Sequence, residues 1–469
     1  MSRGKPNISQ CAIKVPRGTS MAALQPQEEG AIRLLMRLER KVEDEFRPRM
    51  LARLQEEVDT VDKSLPTKGP RCSQCKRAMK SRGRRPSSVL TRFGRLLLHS
   101  KAYRCSRCKQ RNNPLYDGLG LETGDLSGAL ARLVALLGVV VPYELAATLC
   151  YLFFGVTISP MAVWRAVQRL GEACERHSDE QVRRAGQLGP PCQEQPDKSE
   201  APDVVVAGID GCTLGMQVRS TRRRRKGKEE LPPLPPVEDG HFREVKTGAL
   251  LLPSERLERS PGRRSVARRI LVSCLGNADL IFDRLGAKLC ELGWLGPRTV
   301  LVIVGDGAEW IWKRAAMFAN RCEILDFWHA VEKAWEFARA SYGCESKQAA
   351  TFVHALAADL RAGRIDEVLV RLGQLRPLEC EARERLEALI RYYTNNRGRM
   401  RYDEYLRLGY GIGSGAVESA HKQVVHARLR QAGMRWSEKG ARRLLALRVL
   451  LLNHQWSQLD RLTMVGSAV

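Results

Sequence analysis

The stretch at residues 299–312, TVLVIVGDGAEWIW, constrains the fold more than any other part of the sequence. Its first six residues are apolar or β-branched, a run too short to span a membrane and better suited to a buried parallel strand than to a helix. The run stops at Gly305, and Asp306 follows in a Gly-Asp-Gly turn. Open α/β sheets hold their ligands at the carboxyl ends of their strands. The sequence therefore predicts a carboxylate at a ligand-binding edge, although a solvated loop aspartate has the same local signature.

A second apolar run places another acid in an equivalent position. Residues 203–210, DVVVAGID, predict a strand with Asp210 near its end, followed by a further probable strand after Gly211. Additional strands are predicted at 244–252, 268–275 and 322–325, and helices at 278–292 and 308–318. These segments predict a sheet that carries both acids.

A third acid lies on a later helix. The sequence GIGSG at 411–415 precedes a helical pattern in which Ser414 can act as the N-cap and Glu418 lies one turn further on. Glu418, His421 and Lys422 share one side of this helix, opposite an apolar side. An ordinary Glu–Lys surface pair would produce the same pattern.

Together the three acids follow the order in which an RNase H-like α/β core gathers its carboxylates, with its first and fourth strands as neighbours. Three oxygen ligands suit Mg²⁺, with Mn²⁺ as a substitute. Two such ions roughly 3.5–4 Å apart can activate an attacking hydroxyl and stabilise the leaving oxygen of a phosphodiester. Asp210, Asp306 and Glu418 are therefore the predicted catalytic residues and magnesium ligands.

Four cysteines have metal-binding spacing. Cys72-x2-Cys75 and Cys105-x2-Cys108 flank two short β-like runs, which is typical of a zinc ribbon. Four thiolates close the coordination shell, so the predicted zinc is structural rather than catalytic. Nearby arginines are predicted to contact DNA phosphates: Arg82, Arg84, Arg85 and Arg107.

The chain carries a formal net charge of +26, which favours a polyanionic partner and, among these, nucleic acid over membrane. The most apolar region, 129–156, is interrupted by charges and a proline, so no membrane span is predicted. Apart from the zinc-type set, the 14 cysteines are scattered singly, as in a reducing cytosol.

Two further regions are candidates for DNA contact. Helices at 143–154 and 160–170 resemble a helix-turn-helix with Arg165, Gln168 and Arg169 exposed, although an ordinary αα-hairpin explains the pattern equally well. Residues 219–228 include seven basic residues, among them Arg222, Arg223 and Arg224, beside a proline-rich stretch. This run is either a DNA-backbone contact or a solvated insertion.

These features predict a multidomain α+β protein. The predicted segments are a basic tail with amphipathic helices (1–65), the zinc ribbon (66–122), a helical DNA-binding region (123–187), a linker (188–202), an RNase H-like catalytic core (203–329 and 402–456), a helical insertion in that core (330–401), and a tail (457–469).

Over residues 70–456 the sequence resembles the ISKra-type DDE transposases of bacterial insertion sequences. The shared motifs are the zinc-ribbon cysteines with PLYDGLGL, GIDG at 208–211, GDGAEWIW at 305–312, DFWHA at 326–330, GSGAVES at 413–419 and GMRWSEKGARRLLALR at 433–448. The 219–240 stretch departs from the family pattern.

The resemblance implies a catalytic triad of Asp210, Asp306 and Glu418, and a reaction of DNA cleavage and strand transfer at element ends. It also implies double-stranded DNA partners (terminal repeats and target), a homo-oligomer on DNA, and a bacterial cytoplasmic, nucleoid-associated location. Supporting roles are expected for Asp326, His329, Lys422 and Arg428.

Two other functional classes fit much of the sequence. A DNA-binding regulator with an inactive RNase H-like domain would keep the charge but would not need all three acids. A stand-alone RNase H-like nuclease would hydrolyse DNA without joining it. A strand-transfer assay separates the nuclease from the transposase.

Overall fold

The computed structural model describes residues 34–66, 68–121, 126–187, 201–217, 241–260, 263–266 and 268–464. The chain divides into two compact units. The cysteine unit comprises Met1–Val89 and Phe93–Leu115, and the sheet unit comprises Leu90–Arg92 and Tyr116–Val469. The predicted basic tail up to residue 33, the linker at 188–200 and the basic insertion at 219–240 lie outside the described residues.

The cysteine unit contains one long helix, α1 (Leu34–Ser64), and a three-stranded sheet of β1 (Lys80–Thr91), β2 (Gly94–Arg104) and β3 (Arg111–Asn112). Both predicted β-like runs fall within β1 and β2, which are longer than predicted. Gln55 of α1 pairs with the backbone of Leu97 in β2: its amide donates to the Leu97 carbonyl at 2.9 Å and accepts from the Leu97 N–H at 3.1 Å. This pairing fixes α1 against the sheet.

A short helix, α2 (Pro114–Gly118), is followed in the sheet unit by α3 (Gly128–Val140), α4 (Tyr143–Phe154) and α5 (Pro160–Gln187). The ends predicted for α4 and the start predicted for α5 are confirmed. However, α5 extends beyond its predicted end at residue 170, because it packs along the later helix that contains Arg443. A Cβ added at Gly171 would lie 2.6 Å from the carbonyl oxygen of Arg443. Gln168, predicted to be exposed, is buried in this contact region.

The central sheet has five strands in the order β10-β9-β4-β5-β8. They are β4 (Val204–Gly215), β5 (Phe242–Leu251), β8 (Ile270–Leu275), β9 (Val300–Gly305) and β10 (Arg321–Leu325). The hairpin β6 (Arg256–Ser260) and β7 (Arg263–Val266), which was not predicted, forms a separate sheet. Strands β4, β9 and β10 are parallel, while β5 runs antiparallel to both of its neighbours. The first and fourth strands of the sheet are therefore adjacent, as predicted.

Strand β4 corrects one prediction. The sequence indicated a strand ending near Asp210 and a separate strand after it, but β4 continues without interruption to Gly215. The reason is its partner: β5 pairs with β4 from Val206 to Gly215, so the backbone beyond Asp210 finds a continuous set of hydrogen-bonding groups.

Helices cover the sheet. They are α6 (Ala278–Leu292), which matches its predicted bounds, α7 (Glu309–Ala315), α8 (Phe327–Tyr342), α9 (Lys347–Arg361), α10 (Ile365–Gln374), α11 (Cys380–Asn396), α12 (Tyr402–Arg407), α13 (Gly415–His421), α14 (Glu438–Leu452) and α15 (Leu459–Met464). One hydrophobic core includes α6 to α12 and another includes α3 to α5 with α13 and α14. Across the described residues, no helix is both long and apolar enough to cross a membrane.

Most described cysteines are free thiols, but Cys290 is disulfide-bonded. The expectation of unpaired cysteines outside the zinc-type set therefore fails at this residue. Sequence spacing does not reveal such pairings, because a disulfide depends on which distant segments the fold brings together.

Candidate active site and cysteine cluster

Asp210 and Asp306 lie at the same level on neighbouring strands. Gly208 of β4 pairs with Val304 of the parallel strand β9. Asp210 lies two residues after Gly208, and Asp306 lies two residues after Val304. The same alignment therefore sets Asp210 beside Asp306. Neighbouring strands are about 4.8 Å apart. The register thus brings together two carboxylates that are far apart in sequence.

A third aspartate continues this row. Gly305, the last residue of β9, pairs with Leu325, the last residue of β10. Asp306 and Asp326 directly follow these two residues. Asp326 is fully buried and is the N-cap of α8. The sequence predicts only a supporting role for Asp326 and carries no signal for its register with the other two acids.

Helix α13 lies over this part of the sheet. A Cβ added at Gly208 would come within 3.3 Å of Val417, so the absence of a side chain at Gly208 allows the helix to approach β4 closely. Asp210, two residues on, faces the same side. His421 of α13 reaches it: Nδ1 of His421 is 3.1 Å from Oδ2 of Asp210. Glu418 lies one helical turn before His421.

Ser414 connects Glu418 to Asp326. Its hydroxyl donates to Oε1 of Glu418 at 3.0 Å, and its backbone N–H donates to Oδ2 of Asp326 at 3.0 Å. Ser414 occupies the predicted N-cap position of α13, but its side chain does not cap the helix. The hydroxyl bonds to the Glu418 carboxylate instead, since a charged acceptor makes the stronger hydrogen bond.

His329 carries positive charge into the row of acids. Its Nδ1 is 3.1 Å from Oδ2 of Asp326, and this hydrogen bond, against the opposing effect of burial, raises the pKa of His329 to about 9. The charges of Asp306 and Asp210 contribute to the same shift. At neutral pH the imidazolium therefore partly balances three carboxylates.

The acids themselves differ in ionisation. Burial, reinforced by the charge of Asp210, raises the pKa of Asp306. Burial is the largest single influence on Asp210 and acts the same way, but the hydrogen bond and charge of His421, the Gly211 N–H and the charge of His329 together outweigh it and leave the pKa of Asp210 below its usual value. The pKa of Asp326 is also lowered, because hydrogen bonds from His329, Ser414 and the Trp328 N–H outweigh burial. Asp306 is therefore the acid whose charge is least compensated by the protein.

The structure gathers Glu418 most closely with Asp326 and His329, whose potential ligand atoms lie within 4.8 Å of one another. Asp326 is poorly suited to bind a metal, because Oδ1 accepts from the Trp328 N–H at 2.7 Å and Oδ2 serves both Ser414 and His329. Its contacts make it the residue that holds α8 and α13 in place.

One residue expected to support the acids, Arg428, makes its contacts elsewhere. Arg428 is buried; its Nε donates to the carbonyl oxygen of Gly138 at 3.0 Å, and its guanidinium packs on the rings of Tyr143 and Trp436. The chain between Glu418 and Arg428 passes through a π-helical turn, Lys422–His426, which changes the direction of later side chains. Lys422 is exposed at the start of this turn.

The sequence pattern missed three contacts of the site. These are the bond between His421 and Asp210, the Ser414 bridge, and the Tyr392 hydroxyl, which donates to the Asp306 carbonyl oxygen at 2.7 Å. The i, i+3 spacing of Glu418 and His421 was the one available signal.

The four zinc-type cysteines come together in the cysteine unit. Sγ of Cys72 is 3.3 Å from Sγ of Cys108, and Sγ of Cys75 is 3.4 Å from Sγ of Cys105. A backbone hydrogen bond from Cys108 is the largest influence that lowers the pKa of Cys105 to about 6, and a bond from Cys75 likewise lowers the pKa of Cys72. Thiolate-favouring donors and four convergent sulfurs fit a tetrahedral zinc site.

The predicted DNA-contacting arginines have mixed surroundings. Arg82, Arg85 and Arg107 are exposed, whereas Arg84 donates to Asp62 at 2.7 Å and to the His99 carbonyl at 2.6 Å. In the sheet unit Arg165 is exposed and Arg169 is half-buried. Arg222, Arg223 and Arg224 lie outside the described residues.

No protein-family model matches this sequence, and no curated protein matches it. Among solved structures, a chain of the Drosophila P element transposase strand transfer complex aligns with 74% of this chain and 81% of its own length, with 10% sequence identity and a TM-score of 0.25. A likeness at this level establishes neither a shared fold nor a shared activity.

Proposed function

We propose that this chain is a DDE-type transposase of an insertion sequence, which binds element ends and catalyses metal-dependent DNA cleavage and strand transfer. The observation that carries the proposal is the strand register, which aligns Asp210 with Asp306 beneath the helix that bears Glu418. The adjacency of the first and fourth strands supports an RNase H-like core. The resemblance of the sequence motifs to ISKra-type transposases supports the same assignment.

The donor set fits Mg²⁺. Asp210, Asp306 and Glu418 offer only carboxylate oxygens, which Mg²⁺ prefers, and the half-buried, poorly compensated charge of Asp306 is what a cation would offset. Bound divalent ions would supply activation of the attacking hydroxyl and stabilisation of the leaving oxygen.

The protein prepares the acids for this role. His421 keeps Asp210 ionised and oriented, Ser414 orients Glu418, and the tight turn after β9 holds Asp306, whose Oδ1 accepts from the Ala308 N–H at 3.0 Å. Asp326 and His329 fix the two helices around them. Preorganised groups of this kind need little rearrangement during the reaction.

The remaining features are consistent with a DNA-processing assembly. The net charge of +26 favours phosphate contacts, to which exposed Arg82, Arg85, Arg107 and Arg165 would contribute. In this proposal the four-cysteine zinc site is structural, the protein acts as a homo-oligomer on DNA, and it works at the bacterial nucleoid.

The test is end cleavage and strand transfer of labelled DNA that flanks the gene, with purified protein and Mg²⁺. Asp306→Asn keeps the volume of the side chain but removes a ligand charge, so cleavage should fall by about 10²–10³-fold or more while DNA binding persists. Asp366→Asn, at an exposed position on α10, is the matched control and should behave as wild type.

The outcomes separate the functional classes. Binding without cleavage by the wild-type protein would indicate a regulator, and cleavage without joining would indicate a nuclease. If Asp306→Asn cleaves as well as wild type, Asp306 is not a ligand and the proposed set of three carboxylates is wrong.

A further inference from the structure

A cavity of about 620 Å³ lies away from the row of acids, at the far end of β4. It is bounded by the beginnings of α4, α5 and α14 and by the segment before α14, which contains Arg435 and Trp436. Met216, just past the end of β4, forms an isolated β-bridge with Trp436, and five residues of extended chain separate it from Asp210. The cavity is therefore distinct from the candidate active site. Its size is that of pockets for drug-sized ligands, which are about 300–1,000 Å³.

Three helix N-termini meet at this cavity. Pro142 and Tyr143 start α4, Pro160 and Met161 start α5, and Ser437 caps α14. A helix N-terminus carries a partial positive charge and free N–H groups, and so attracts anions. The side chains of the α14 and α5 caps bond to their own helices, but α4 has no side-chain cap. The N-cap residue of α4, Pro142, therefore leaves the first-turn N–H groups without a side-chain cap of its own.

An independent feature at the same place is a buried cation. Arg428 lines the cavity and is 1% exposed, yet among the described residues it forms no ion pair with a carboxylate. Its contacts are the Gly138 carbonyl, the sulfur of Met434 at 3.6 Å, and the rings of Tyr143 and Trp436 at 4.8 and 5.2 Å.

A second buried arginine increases the local positive charge. Arg448, which is not part of the cavity lining, donates to the carbonyl oxygens of Val424 and Val139, at 2.7 and 2.6 Å, and burial together with the charge of Arg428 lowers the pKa of Arg448 to about 10. A buried charge without a counter-ion is costly. Arg428 and half-buried Arg435 make the cavity lining positive, and a bound anion would offset that charge.

The walls are also aromatic. Trp164 at the rim is 41% exposed, and Tyr143 meets Trp436 edge to face with 6.4 Å between ring centroids. Flat apolar walls next to an anion-binding site suit a ligand that combines a phosphate with a planar ring. Glu144, at the start of α4, is the acidic group on the lining; it is exposed and leaves the buried part of the cavity positive.

We propose that this cavity binds one unpaired nucleotide of a DNA strand, with its phosphate held by Arg428, Arg435 and the helix N-termini and its base stacked on Trp164. The nucleotide must be unpaired, because the faces of bases within a duplex are covered by their neighbours. This binding does not require the carboxylates or any divalent cation.

The experiment uses the full-length chain in buffer without Mg²⁺ and without chelator, and measures fluorescence anisotropy of a labelled oligothymidylate. Trp164→Ala and Arg435→Gln should each weaken binding of the single strand about ten-fold, as expected for the loss of one base stack or one phosphate contact. Trp164→Phe keeps a stacking face and should restore most of the affinity. Binding of a duplex of equal length should change less.

Matched controls remove an aromatic ring or an arginine charge at positions outside the cavity. Phe153→Ala deletes an exposed aromatic side chain of α4 outside the cavity, and Arg361→Gln deletes a charge at the end of α9; each should change affinity by less than about twofold. Irradiation of an oligonucleotide containing 5-iodouracil should cross-link the peptide that contains Trp164. Thymidine monophosphate should compete better than inorganic phosphate.

The proposal is overturned if the Trp164→Ala and Arg435→Gln variants bind the oligothymidylate as the wild type does, or if cross-links form only at other peptides. Equal competition by inorganic phosphate and by the mononucleotide would also overturn it, since the base would then contribute nothing. Cleavage plays no part in these readouts, so their outcome is independent of the proposed transposase activity.

Discussion

The cysteine cluster and the row of acids show two different ways in which a chain gathers residues of the kinds that bind metals. In the cluster, each half is a local turn: the N–H of Cys72 donates to Arg77 and that of Cys105 to Gln110, both at 2.8 Å. Lys76 and Lys109, the residues after the second cysteine of each turn, have φ of 58° and 63°. The same four-residue spacing thus produces the same conformation twice.

The acids are assembled without any such local rule. Asp210, Asp306 and Asp326 are aligned by pairing between β4, β9 and β10, and Glu418 is added by a helix that packs over Gly208. The large buried core of the sheet holds the strands that carry these positions. We therefore expect loss of metal to unfold the cysteine unit but to leave the acids in place.

The largest expected effect follows from this difference. Cys75→Ser removes one of four zinc ligands, and the apolar residues buried around the cluster are few, namely Met79 and Tyr103. Structural zinc contributes roughly 10–16 kcal/mol of apparent binding free energy in small domains, so residues 70–115 should lose their protease resistance. The sheet unit should keep its protease resistance. Cys344→Ser, at an exposed cysteine, is the control.

Metal analysis completes this experiment. The wild-type protein should contain one zinc ion per chain, and Cys75→Ser should contain little. Equal protease resistance of residues 70–115 in the two proteins, or a wild type without zinc, would show that the cluster does not depend on metal.

The same contrast explains what the sequence could predict. The cysteine spacing, the ends of α4 and α6, and the strand-end position of Asp306 depend on local pattern, and the structure bears them out. The continuation of β4 past Asp210 depends on pairing with β5, and the burial of Gln168 depends on packing against α14. Likewise, Arg428 bonds to Gly138, which is nearly 300 residues away in sequence. Such contacts have no local signature.

A second prediction compares two acids at the same level of the sheet. Asp326→Asn should destabilise the protein by about 1–3 kcal/mol, because an amide N–H₂ would replace either the oxygen that accepts from both Ser414 and His329 or the oxygen that accepts from Trp328. Asp306→Asn should instead stabilise the metal-free protein by about 0.5–2 kcal/mol, since it removes a half-buried charge while its amide oxygen can still accept from Ala308. Thermal unfolding of both variants without Mg²⁺ measures the difference.

The pH dependence of stability tests independently whether each substitution stabilises or destabilises the protein. The pKa of Asp306 is raised by folding, so its ionisation costs stability as the pH rises through that pKa, and the advantage of Asp306→Asn should disappear in acid. The pKa of Asp326 is lowered, so its stabilising contribution is present above the usual aspartate range and is lost as the pH falls through its folded pKa. Equal effects of the two substitutions at neutral pH would contradict this account.

The smallest expected effect concerns His421, which is 4% exposed and whose Nε2 has no hydrogen-bond partner among the described residues. His421 is a positioning residue for Asp210, and residues that orient metal ligands typically account for 10–100-fold in metal affinity. His421→Leu should therefore raise the Mg²⁺ concentration needed for half-maximal cleavage by about ten-fold or more. His421→Asn offers an amide donor near the position of Nδ1 and should restore most of the wild-type requirement.

A purely structural role for His421 makes a different prediction. If the imidazole only filled space, leucine would serve at least as well as asparagine, and the two variants would differ in melting temperature rather than in Mg²⁺ requirement. Cleavage at saturating Mg²⁺ should be similar in all three proteins, because His421 does not touch the DNA in this mechanism. An unchanged Mg²⁺ requirement in His421→Leu would show that sheet register alone positions Asp210, without help from the His421 hydrogen bond.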